Sequence, residues 1–229
     1  MASSSEAATY PLIKTFDTSA TEAEIKQLAN VLVEAFRTDP YGLILLGNDY
    51  TLAPGEFVAQ VRATLINGAL HAFAVGPALE DIVGVALWFP PGKRAFATEE
   101  EKVATGWHKV EEATPPALRA WRNDYFGPTV AKMVTDSIGI EYIEAAWHLR
   151  LFGVIPEHQG KGYGRALFDF AERQAKQTNS NLVVQTPTDV DVEIYKRFGF
   201  RICGETYLKS EYGDAHMRLM LKEAEGAKE

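Results

Sequence analysis

The sequence predicts an α/β protein built on one mixed sheet of six to seven strands flanked by helices. Three observations carry that expectation. First, two kinds of apolar pattern alternate along the 229 residues, one recurring every three to four positions and one in short continuous runs. Second, their order is β-α-α-β-β, a helix-rich insertion, then β-α-β-α-β-β. Third, the strand-helix-strand passage in the second half demands a right-handed crossover, which sets parallel strands inside an otherwise antiparallel pattern.

Tyr10 to Lys14 reads as the first strand. Ser19 and Thr21 are each followed three residues later by a glutamate, the spacing of a capping box. Ile25, Leu28, Leu32, Ala35 and Phe36 then recur at helical period, so a helix is expected over 21–37, stopped by Asp39-Pro40. Phe57, Val58, Val61, Leu65 and Ile66 mark a second helix over 54–67. His71–Val75 and Ile82–Phe89 form an expected hairpin through Gly76-Pro77, ended by Pro90-Pro91-Gly92. Residues 97–140 are polar and helix-like, broken at Pro115-Pro116, and read as an insertion holding Trp107, Trp121 and Tyr125. A strand over Trp147–Val154, a helix over 162–176, a strand over 181–185 and a short helix over 191–197 follow. Strands over 200–207 and 215–221 complete the pattern. The whole chain, 1–229, is expected to form a single domain with flexible ends at 1–9 and 223–229.

Composition narrows the chemistry. At 46% hydrophobic residues, a chain of this length buries a core without disulfide or metal support. The one cysteine, Cys203, and five scattered histidines offer no metal-ligand spacing, so no metal is expected. A formal charge of −8 argues against nucleic acid as a partner. No apolar run reaches 18 residues, and the first residues lack the pattern of a signal peptide, so no membrane partner and a cytoplasmic location are expected.

The informative stretch is Val154-Ile-Pro-Glu-His-Gln-Gly-Lys-Gly-Tyr-Gly-Arg-Ala-Leu167. An apolar strand ends at Pro156, glycines occupy positions 160, 162 and 164, and an apolar helix follows. Backbone N–H groups at such a helix mouth suit a phosphate or pyrophosphate, although a tight turn without ligand would look similar. The pattern is neither a Walker loop nor GxGxxG. Residues 155–201 hold seven lysines and arginines against six acids, in a chain that is otherwise strongly acidic, with Lys161 and Arg165 beside the glycines.

Gln159-Gly-Lys-Gly162-Tyr-Gly164 resembles the Q/R-x-x-G-x-G/A signature of the GNAT N-acetyltransferase superfamily. Leu151–Pro156 is similar to that family's fourth strand, and Asp191-Val-Glu-Ile-Tyr195-Lys-Arg-Phe-Gly199-Phe200 to its downstream tyrosine element. Gln185-Thr186 and Trp88-Phe-Pro-Pro91 are similar to puromycin N-acetyltransferase-like members. The resemblance implies the GNAT fold, with central parallel strands that splay apart, and acetyl-CoA as co-substrate between them. It places the pantetheine on the backbone of Phe152, Gly153 and Val154, and the pyrophosphate on the N–H groups of Gln159, Gly160, Lys161, Gly162, Tyr163 and Gly164, next to Arg165. Thr188 and Asp191 stand where the family commonly carries asparagines near the pantetheine. Tyr195 occupies the position of the general acid.

Glu141, Glu144 and His148 precede or begin the fourth strand, where the resemblance implies that the base or its water chain arises. His148 and Glu144 are the candidates for the base, and an ordered water chain is the alternative. Period-two alternation expects His148, Arg150, Phe152 and Val154 on one face and Trp147, Leu149 and Leu151 on the other. Cys203 has no histidine neighbour in sequence and reads as core packing. The implied activity is acetyl transfer to the amine of a small molecule by direct attack in a ternary complex. A protein lysine or N-terminal acetyltransferase and a non-catalytic acyl-CoA sensor are the rivals. The insertion is expected either to cap the acceptor, through Trp107, Trp121 and Tyr125 with Glu111, Glu112 and Glu141, or to cover the sheet or a homodimer contact.

Overall fold

A computed structural model describes residues 11–224. The expected flexible segments, 1–9 and most of 223–229, lie outside the described residues. Strand β1 (Leu12–Phe16) leads into α1 (Glu22–Phe36), whose start is the expected capping box: the Thr21 N–H donates to the Glu24 carboxylate at 2.8 Å, and Thr21 Oγ1 accepts from the Glu24 N–H. Asp39-Pro40 does end α1, but it also opens α2 (Pro40–Leu45), an element the sequence reading missed. Asp39 caps α2, accepting from the Gly42 N–H at 2.5 Å, and proline sits at the first helical turn, where no N–H is needed. α3 (Ala53–Asn67) then leads to β2 (Ala69–Ala74) and β3 (Ile82–Phe89).

The insertion folds into α4 (Glu99–Thr105), α5 (Trp107–Ala113), α6 (Pro116–Ala120), a π-helical turn (Trp121–Phe126), α7 (Gly127–Ile138) and α8 (Ile140–Glu144). The second half is β4 (Trp147–Val154), α9 (Tyr163–Gln177), β5 (Leu182–Thr186), α10 (Asp189–Arg197), β6 (Arg201–Leu208) and β7 (Ala215–Lys222). The seven strands run in the order β1-β2-β3-β4-β5-β7-β6, antiparallel everywhere except between β4 and β5. None of the described helices is long and apolar enough to cross a membrane.

Both faces of the sheet are covered. On one face α1 and α3 pack on β2 and β3, with Leu28 and Leu32 fully buried among Val85 and Leu87. Truncating either leucine to alanine costs about 2–5 kcal/mol on general grounds. On the same face α7 covers β5 and β7, with Val130 and Met133 against Val183 and Leu219. Phe168 of α9 covers the opposite face, on Trp88 and Leu149. The two helix groups of the first face do not meet over β4, and this gap becomes the cleft. The closest approach of α1 to β4 is at Gly153, where an added Cβ would lie 2.7 Å from that of Ala35. Glycine is therefore required there by space alone.

His71 on β2 is 1% exposed, its ring lies edge-on to Phe170 at 4.7 Å, and its Nδ1 has no hydrogen-bond partner. Burial pushes its pKa down to about 4. The unfolded chain takes up this proton near pH 6.5 and the folded chain only near pH 4, so the unfolded state holds more protons in that window. Stability is therefore lost as pH falls through it. Urea denaturation at pH 7 and pH 5 should show a loss from this group of about 2 kcal/mol. In His71→Leu that share should vanish, and an unchanged pH dependence would show that the histidine is charged in the fold.

Candidate active site

β4 and β5 pair only over Trp147↔Leu182, His148↔Val183 and Leu149↔Val184, and beyond that point they separate. A cleft of about 700 Å³ runs through the split. Its walls come from the C-terminal end of α1, from α2 and α3, from Arg122 and Phe126 of the π-helical turn, from β4 and from α10, and its floor reaches the glycine turn.

A bulge shapes the split. On β3, Leu87 faces Leu151 and Trp88 faces Leu149, so Arg150 is an extra residue without a partner. The expected alternation along β4 fails at this residue. Trp147 and Leu149 lie on the α9 side, where strict alternation would put Phe152 on the other face, yet Phe152 packs on the α9 side as well, and Leu151 turns to the α1 side. A bulge adds one residue to one strand, which reverses the parity of everything after it.

At the floor, Gly160 and Gly162 have φ of 73° and 84°, and a Cβ at either would meet nothing within 4 Å. Gly162 is the N-cap of α9, and the first turn bond runs from the Ala166 N–H to the Gly162 carbonyl. Among the described residues the N–H groups from Gly160 to Arg165 find no acceptor, which is the arrangement that accepts an anion. Gln159 departs from the expectation. Its N–H donates to the Pro156 carbonyl and its side chain donates to the Val154 carbonyl at 2.9 Å, so it ties the turn to the end of β4. The side chains of Lys161 and Arg165 are exposed, and Arg165 pairs with Asp169 at 2.6 Å while lying over the Phe198 ring.

Tyr195 of α10 is 7% exposed, is wedged edge-on against Phe198 and Phe200, and lines the cleft. Burial, and secondarily Asp191, raise its hydroxyl far above the ordinary range, so it is a neutral donor. Asp191 also lines the cleft, with the hydroxyls of Thr186 and Thr188 donating to Oδ2 at 3.2 and 2.6 Å. Thr188 itself is spent as the N-cap of α10, accepting from the Asp191 N–H, and it is not in the cleft wall.

The other end of the cleft is polar. His148 is half-buried there, and burial, with Arg150 beside it, lowers its pKa to about 4. Glu144 is not brought to it: the residue ends α8, is exposed, and lies outside the cleft wall. Asp39 is raised above the usual carboxyl value by burial and, against the pull of the Gly42 N–H, by Asp191. Glu56 of α3 pairs with Arg122 at 2.9 Å, both side chains being 14% exposed. Arg122 Nε also donates to the Leu45 carbonyl at 2.8 Å.

The insertion therefore does reach the cleft, through Trp107 as expected and otherwise through residues that were not. Trp107 is in the wall, stacked on Phe96 at 4.2 Å. Trp121 Nε1 instead donates to the Lys209 carbonyl at 2.7 Å, and the Tyr125 hydroxyl accepts from the Lys209 N–H at 3.2 Å, so both pin the insertion to the end of β6. The π-helical turn presents Arg122 and Phe126 to the cleft and leaves Trp121 and Tyr125 outside its wall. Glu111, Glu112 and Glu141 lie outside the cleft wall. Cys203 donates its Sγ–H to the Leu219 carbonyl at 3.4 Å, and burial raises its thiol pKa, which makes it a packing residue rather than a nucleophile.

Asp39, Tyr41, Glu56, Gln60, Arg122 and Arg150 went unassigned in the sequence reading. Only Arg150 left a signal there, as a charge inside an apolar strand.

Residues 100–221 match the family model described as an acetyltransferase (GNAT) domain. A protein of Schizosaccharomyces pombe described as an uncharacterized N-acetyltransferase is 23% identical over 205 residues, covering 88% of this chain and 81% of its own. Among solved structures, the histone acetyltransferase HPA2 and related acetyltransferase of Corynebacterium glutamicum superimposes with a TM-score of 0.60 at 18% identity, covering 95% of this chain and 99% of that one. Arylalkylamine N-acetyltransferase 2 of Aedes aegypti gives 0.59 at 14% identity, covering 92% and 98%. At these identities the two structures speak for the fold.

Proposed function

The chain belongs to the GNAT acetyltransferase family, and from that premise we propose that it moves acetyl from acetyl-CoA to the amine of a small molecule by direct attack in a ternary complex. The observation that carries this reading is a single cleft joining free N–H groups at the α9 mouth, the open edge of β4 and the buried hydroxyl of Tyr195. The fit to acetyl-CoA is good on its chemistry. The open glycine turn suits a pyrophosphate, and the backbone of Phe152–Val154, which has no β5 partner and of which the Val154 carbonyl takes the Gln159 amide, suits the amides of a pantetheine arm. Acetyl-CoA supplies an activated acyl group on a good leaving group.

The chain's own residues do the rest. Tyr195 holds its proton at neutral pH and donates a hydrogen bond to the leaving sulfur. His148, neutral above about pH 5, takes the proton that the attacking nitrogen loses. A base this weak does not deprotonate an alkylammonium ion with a pKa of about 10, so the acceptor reacts as its neutral fraction. Direct attack is favoured because the thiol of Cys203 is not in the cleft. A small acceptor is favoured because α2, α3 and the π-helical turn enclose the polar end, and the Aedes relative named for arylalkylamines belongs to the same fold.

A thiol-release assay across an amine panel tests this. Turnover should require both acetyl-CoA and an amine, and kcat/KM should climb about tenfold per pH unit between pH 6 and 9 with no inflection near 6.5. Absence of turnover with every amine would defeat the reading, and an inflection near 6.5 would remove His148 as a neutral acceptor.

A further inference from the structure

We infer that Arg150 selects acceptors that carry a carboxylate besides the amine, so that the substrate class is amino-acid-like rather than a plain amine. The inference rests on the acetyl-transfer reading of the same cleft. Arg150 is the bulged residue at the place where β4 leaves β5. It is exposed, and it lines the cleft beside His148.

Its protein contacts leave the recognition edge open. Nε donates to Oε1 of Gln60 at 3.1 Å, and Gln60 is 2% exposed on α3, which fixes the guanidinium plane. The two terminal nitrogens have no protein acceptor among the described residues. The neighbouring carboxylate, Glu56, is already paired with the second guanidinium of the cleft, Arg122. One positive charge is left without a partner, in a group that cannot release its proton.

The two free amino groups form a planar fork that suits a carboxylate held by two parallel hydrogen bonds. A single unit of positive charge, flanked by Asp39 and Glu56 on the opposite wall, suits one negative charge better than the two of a phosphate ester. Position fits as well. Arg150 lies two residues before the Phe152–Val154 backbone proposed for the pantetheine, which is about 7 Å of strand. A carboxylate on Arg150 thus leaves its own amine within a few bonds of the acyl carbon.

The test compares matched acceptors by thiol release: γ-aminobutyrate with butylamine, phenylalanine with phenethylamine, and each carboxylate with its phosphonate analogue. The carboxylated member should have a kcat/KM about 10²-fold above its neutral partner, the scale of a charged hydrogen-bonded pair. In Arg150→Gln that preference should fall to about threefold or less, and Arg150→Lys should recover part of it, since it keeps the charge and loses the fork. Calorimetric affinity for acetyl-CoA should be the same in all three proteins. Neutral amines used as well as carboxylates, phosphonates preferred to both, or a preference that survives Arg150→Gln would each overturn the inference. Failure of the wild-type protein to bind acetyl-CoA would instead overturn the acetyl-transfer reading beneath it.

Discussion

Tyr195→Phe should lower kcat by about 10²-fold while acetyl-CoA affinity stays within about twofold of wild type. The substitution keeps the ring that packs on Phe198 and Phe200 and removes only the hydroxyl. That hydroxyl has no protein acceptor among the described residues, lies in the cleft and is kept protonated by burial, so deleting it strands no partner in the free protein. Stability should accordingly change little, which separates a chemical role from a packing role. Steady-state kinetics beside urea denaturation make the comparison. An unchanged kcat in a folded variant would return Tyr195 to the core, and a parallel collapse of stability would do the same.

Gly162→Val should weaken acetyl-CoA binding by about 10²-fold or more, the cost of losing several charge-assisted hydrogen bonds to the phosphates. Gly162 has φ of 84° at the mouth of α9, and a β-branched residue there must leave that region or remain strained by about 1–3 kcal/mol. Leaving it rotates the N–H groups at the helix mouth, and staying puts a branched side chain where the phosphates must approach. The space around the Cβ position is empty, so the variant should fold, with a midpoint in urea only modestly lower. Calorimetry on the folded variant checks the outcome. Wild-type affinity would mean that the anion site lies elsewhere.

Much of the fold was legible in the sequence because it depends on local periodicity. β3 and β4 fall on their expected bounds, α1 begins at its expected cap, and the glycine spacing marks the start of α9. Tyr195 and the glycine turn were legible for another reason. Their chemistry depends on short-range spacing, which survives as a motif. α2 was missed because Asp39-Pro40 is read locally as a stop, and the same two residues also make a good start. Glu144 and Thr188 were placed in the site because they flank its elements. One ends on an exposed helix, and the other spends its hydroxyl on a cap.

The sequence by itself therefore determined the order of elements, the parallel crossover, the glycine turn at the mouth of α9, and the tyrosine on α10. The acceptor end was decided by the tertiary structure alone. Arg150 stands without a partner on β3 because the β3–β4 register skips one residue, a feature of the pairing of two strands rather than of either one. Its freedom from an ion pair depends on Glu56 and Arg122, residues 66 positions apart, having found each other. The π-helical turn chose Arg122 and Phe126 over Trp121 and Tyr125 for the cleft. The physical reason is common to all three. Periodicity and motif spacing report forces acting over a few residues, whereas which charge is left unpaired and which side chain turns inward follow from packing between segments far apart in the chain.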